Sequence, residues 1–136
     1  MNVFMLIPFA GYVGLWILAS PLFLVYFKVF GIPVDLKNPV AMIRKVPAFL
    51  AIVTVPLCSF ISFFIATKII LNEAATSLSA AQLLEVGIIS LSCTVILDLL
   101  ITVLGEKMDI RVYPVNLMYL LAWLVIIPSV VLAGHR

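Results

Sequence analysis

The sequence predicts an all-α membrane protein, four transmembrane helices packed as an antiparallel up-and-down bundle, and three observations predict it. Four apolar runs, residues 3–27, 47–71, 80–104 and 114–133, are each long enough to cross a hydrocarbon core of about 30 Å. Hydrophobic residues make up 65% of the chain and charged ones 10%, too little polar matter to clothe a soluble domain of 136 residues. The connections between the runs are short, so consecutive helices must turn back on one another. The whole chain, 1–136, reads as a single four-span domain.

The first run has no basic residue before it and Lys28 after it. That is the reverse of a signal peptide, so the helix is expected to be retained. Pro8 falls near its start, where a missing N–H costs little, and Pro21 falls inside, where a kink is expected. Gly31 and Pro33 then break the helix. Asn38-Pro39 reads as a cap followed by proline at the first helical position, opening either a short interfacial helix over 40–45 or the first turn of the next span. In the interfacial reading Met42 and Ile43 are buried and Arg44 and Lys45 face outward.

The second run contains Pro56 and, near its far end, Lys68, whose stem can carry its charge to the headgroups. Ser79 with Gln82 reads as a capping box for the third helix, and Gly105 as its C-cap. Pro114 marks the start of the fourth helix, and Pro128 lies near its outer end.

Charge placement sets the expected orientation. Lys28, Lys37, Arg44, Lys45, Lys107 and Arg111 lie on the first and third connections, against Lys68 and Arg136 on the other side. The positive-inside rule therefore puts both termini outside, in a multi-pass protein of a prokaryotic inner (plasma) membrane.

Asp98 is the acid deep within an apolar run. At about 100° per residue, Gly87, Ser90, Thr94, Asp98, Thr102 and Gly105 share one face of the third helix. Hydrocarbon offers no hydrogen bonds, so this face should look into the bundle or toward another subunit. Asp98 lies about 10 Å from the Gly105 end by helix rise. Matching depths on the other helices puts Ser20, Thr54 and Tyr119 level with it, with Thr94, Thr102 and Trp123 nearby. These residues are the expected ligand- or proton-binding set. Lacking a basic partner at that depth, Asp98 is expected either to be protonated and tie helices together, or to hold a proton, a cation or a substrate amine.

Trp16 and Trp123 fall near mid-membrane, away from the interfacial belt that suits Tyr26 and Tyr113. Their N–H groups need acceptors, so both should point inward. Tyr12, Trp16, Ala19 and Phe23 share a face that would fill the core or line a cavity with Trp123. Ala10 and Gly14 form a small-residue pair suited to close helix approach. Cys58 and Cys93 read as small buried hydrophobes.

The chain thus suggests an oligomeric transporter of a small solute or ion, linked to protons or cations through Asp98. The alternative is a non-catalytic accessory or assembly subunit of a larger membrane complex. No catalytic constellation is visible: the loops offer Asp35, Glu106, Asp109 and a few bases, with no nucleophile motif. No cofactor or metal is expected, the lone His135 lying at the C-terminal end. The expected partners are the lipid bilayer and either a second copy or another membrane subunit, with no nucleic acid.

Overall fold

The computed structural model describes residues 3–105 and 107–135, so Glu106 and Arg136 lie outside the described residues. A short 3₁₀ turn, Val3–Met5, leads into α1, Leu6–Val29. Next come α2, Pro39–Lys45, and α3, Ala48–Glu73. The third long helix begins as α4, Ala80–Leu97, and continues over Asp98–Gly105 as a wider π-helical coil. The fourth is built from α5, Val115–Leu124, and α6, Ile126–Gly134. Four helical stretches, Leu6–Val29, Ala48–Glu73, Ala80–Gly105 and Val115–Gly134, are long and apolar enough to cross a membrane.

The local signals act where they were expected. Asn38 Oδ1 accepts from the Ala41 N–H at 3.2 Å, with Pro39 at the first position of α2. Val46 is extended and Pro47 follows, so α2 is a helix of its own rather than the first turn of α3. Its Met42 and Ile43 are buried while Arg44 and Lys45 are exposed. Ser79 and Gln82 close the capping box in both directions, at 2.9 and 3.3 Å.

The helical run passes through Pro21 and Pro56, whereas the fourth span breaks at Val125. Pro128 accounts for that break. Its ring presses on the carbonyl four residues earlier, that of Leu124, where α5 ends.

Around the bundle, α1 packs on α3 and on α4, while α5 and α6 pack on α3 and α6 packs on α4. The order is therefore α1, α3, the α5–α6 span, α4, and the second and third long helices sit across the diagonal. One core gathers Leu15, Ala19, Val55, Cys58, Met118 and Ala122, and a second joins Ile7 and Phe63 to Ile126 and Val130. Large apolar side chains also point outward all round, among them Val13, Ile17, Phe49, Ile69, Leu104 and Leu132. Cys58 is buried, Cys93 is half-buried, and both are free thiols.

The approach of α1 to α3 depends on two glycines. A Cβ on Gly11 would run into the ring of Phe63, which is fully buried, and one on Gly14 would run into Ser62 Oγ. That hydroxyl donates to the Gly11 carbonyl at 2.7 Å. At the other end of the same helix pair, Tyr26 and Thr54 share a hydrogen bond of 2.9 Å. Of the small pair expected from the sequence, Gly14 makes the close contact while Ala10 is exposed, and Gly11 takes its place.

Gly11→Ala gains up to about 1 kcal/mol of helix propensity but meets an overpacking cost of about 1–3 kcal/mol against a ring that cannot withdraw. A lower thermal midpoint in detergent is expected for Gly11→Ala. Gly105→Ala, whose new methyl would meet only an ordinary contact at 3.7 Å, should keep the parental midpoint.

Candidate functional site

Asp98 stands where the α-helical coil of α4 gives way to π winding, and its N–H is shared between the carbonyls of Thr94 and Val95. Short π segments inside helices recur at functional sites. The side chain is 1% exposed. Oδ1 accepts from the hydroxyl of Tyr12 on α1 at 3.0 Å, and Oδ2 accepts from the indole N–H of Trp123 on α5 at 2.7 Å. One carboxyl group thus joins three helices.

Each donor is backed by a second ring. Trp16 meets Tyr12 edge-on, at 6.4 Å between centroids and 74° between planes. Tyr119 lies tilted against Trp123 at 6.1 Å. Edge-on and offset ring pairs of this kind are favourable and directional, so they hold the hydroxyl and the N–H in place.

The polar row of the third helix does face inward. Gly87, Ser90, Thr94, Asp98 and Thr102 are buried, and Gly105, at the end, is exposed. Thr94 Oγ1 turns back to the Ser90 carbonyl at 2.9 Å, but the hydroxyls of Ser90 and Thr102 are buried with no hydrogen-bond partner. Buried polar atoms are rarely left so. Thr67 on α3 is a third such case.

The neighbours expected for Asp98 need correcting. Ser20 is exposed. Thr54 is buried but is engaged with Tyr26. Tyr119 is buried, directs its hydroxyl to Met108 Sδ at 3.8 Å, and lies tilted against the Trp123 ring. Asn116, three residues before Tyr119, is exposed and accepts from the Leu117 N–H.

Matching Cα levels ignores the lean of every side chain toward its own helix N-terminus. That lean carries the Asp98 carboxyl back along its helix, away from Gly105. It also brings the Trp123 indole back toward the start of α5. Tyr12 was legible as an inward residue of α1, but its role as a donor was not. The signal was the face it shares with Trp16, together with the long reach of a phenol.

The donor set defines what the acid can do. An indole N–H only donates, so Oδ2 must accept whether or not the carboxyl carries a proton. A phenol both donates and accepts, so the contact at Oδ1 can run either way. Asp98 can therefore gain or lose a proton without giving up either neighbour. When the carboxyl is protonated and donates to Tyr12, the phenol's own hydrogen is released to find another acceptor. Among the described residues no group of three or more His, Cys, Asp or Glu gathers to hold a metal ion. The chain matches no family model, no curated protein and no solved structure.

Asparagine reproduces the protonated carboxyl: its oxygen accepts from Trp123 and its amide donates to Tyr12. Asp98→Asn is therefore expected to unfold in detergent close to the parent. Asp98→Ala strands a buried N–H and a buried O–H and should lose about 1–3 kcal/mol for each. Thermal melts followed by tryptophan fluorescence distinguish the two.

Proposed function

We propose that this chain is a four-span integral membrane protein in which Asp98 carries a proton or cation for an oligomeric transporter of a small solute or ion. Membrane insertion is supported by the outward-facing apolar side chains on all four long helices. An antiparallel bundle is supported by the register of contacts. Gly11 meets Ser62 while Tyr26 meets Thr54, so α1 and α3 run oppositely. Asp98 meets Trp123 while Gly87 lies by Ile127, so the third and fourth spans do too. The distribution of bases supports both termini outside.

The observation that carries the transport reading is a carboxyl group 1% exposed whose two contacts survive a change of protonation. Intramembrane acids are expensive, and they mark substrate paths, ion paths and proton relays. Asp98 meets Tyr12 from α1 and Trp123 from α5, and Thr94 and Thr102 are buried on its own helix. The first, third and fourth spans hold no base short of Lys28 at the far end of α1. Four helices packed about filled cores leave little room for a path within one copy, which favours assembly of several.

A second reading, an accessory or assembly subunit, is favoured by one fact: both oxygens of Asp98 are already matched, as a structural tie requires. Proton flux separates the two. In proteoliposomes holding a pH-sensitive dye, with the potential set by potassium and valinomycin, the parent should acidify the lumen faster than protein-free vesicles. Asp98→Asn should fall to the protein-free rate while keeping its fold. Equal rates for parent and variant would leave Asp98 a tie between helices. Separately, tags at the two ends should be reachable only from the outer side.

A further inference from the structure

Across the diagonal between α1 and α5 lies a pocket of about 230 Å³. Trp16, Phe23 and Phe27 of α1 form one wall, Met118 and Tyr119 of α5 the other, and Met42 of α2 roofs it. The remaining lining, Ser20 and Leu24 included, is apolar apart from the Ser20 hydroxyl. Methionine side chains, here from α2, α5 and the loop residue Met108, adapt their shape to a flexible guest. Leu24, at the edge, is 56% exposed and continuous with the outward apolar surface, so the pocket opens sideways toward hydrocarbon rather than into water.

Bases adjoin its lining in the sequence. Lys28 follows the lining residue Phe27, Arg44 and Lys45 follow the lining residue Ile43, and Lys107 precedes the lining residue Met108, all four exposed, with Arg44 Nε also donating to the Tyr113 carbonyl at 3.4 Å. Among the described residues, the acids of these connections make local contacts: Asp35 Oδ1 accepts from the Lys37 N–H and Asp109 Oδ1 from the Arg111 N–H, each at 2.9 Å. An apolar slot open to the bilayer with bases adjoining its lining matches one chemistry, an apolar tail on an anionic head.

We infer that this pocket takes an acyl chain of an anionic phospholipid from the bilayer, with the headgroup phosphate held by Lys28, Arg44, Lys45 and Lys107. The inference rests on the chain lying in a membrane, and it stands whether or not Asp98 carries protons. The occupant would touch Trp16 and Tyr119, the two rings that back the donors to Asp98. The lipid site and the acid are therefore in contact through two aromatic pairs.

The protein reconstituted in phosphatidylcholine nanodiscs provides the test, because bromine on a lipid tail quenches a tryptophan it touches. Tail-brominated phosphatidylglycerol should quench the parent about twofold more than tail-brominated phosphatidylcholine at the same low fraction, levelling off as the site fills. That excess should vanish in Trp16→Phe, which removes the reporter, and in the Arg44→Gln/Lys45→Gln double variant, which removes two of these bases. Equal quenching by the two lipids, or an excess that survives Trp16→Phe, overturns the inference while leaving the membrane reading intact. No quenching by either lipid overturns both.

Discussion

The fold depends on a single carboxyl group being matched. A charged or half-matched acid inside an apolar bundle is heavily penalised, and the penalty is relieved only when every lone pair that matters finds a donor. Asp98 finds its donors on two different helices, Tyr12 on α1 and Trp123 on α5. To reach both, the third span must stand beside the first and beside the fourth, which leaves the second diagonal to it. The observed order around the bundle is that order. Helix neighbours that apolar packing alone would leave interchangeable are distinguished by which of them can satisfy one acid.

The hydroxyls of α3 and those of the third span do different work. On α3, Ser59 donates to the Ala122 carbonyl at 3.1 Å and Ser62 to that of Gly11 at 2.7 Å, so each joins α3 to a different neighbour. Such bonds are modest fasteners between apolar helices. On the third span, Thr94 turns back to its own helix and Ser90 and Thr102 are left without partners. On α3, Ser59 and Ser62 are used up in holding helices together, although the Thr67 hydroxyl of the same helix is buried without a partner. On the third span, Ser90 and Thr102 keep acceptor and donor capacity on both sides of the acid.

Much of this architecture is legible in the chain. The four runs, the capping box at Ser79, the Asn38-Pro39 start of α2 and the inward face from Gly87 to Thr102 follow from local rules that depend on a few neighbouring residues. What escaped depends on distances between helices. The set of Ser20, Thr54 and Tyr119 came from counting residues inward from the ends, as though helices were level rods and side chains pointed straight out. The π winding after Asp98 and the break at Val125 also escaped. Pro128 lies near the outer end, but its strain falls one turn earlier, on Leu124. Tyr12 was placed on the correct face and still missed as a partner, because a phenol reaches farther than Cα levels suggest.

The π coil keeps the face of the acid inward. It begins at Asp98, so the residues after it wind on a wider turn, and Asp98 and Thr102 both remain buried. In an unbroken α-helix Thr102 would share that face as well, so the change of winding alters the coil without turning the polar face outward. The contact between carboxyl and phenol can run in either direction, because a phenol both donates and accepts. The indole contact at Oδ2 runs in one direction only. A switch of hydrogen-bond direction at Oδ1, rather than a rearrangement of packing, is the response this geometry permits.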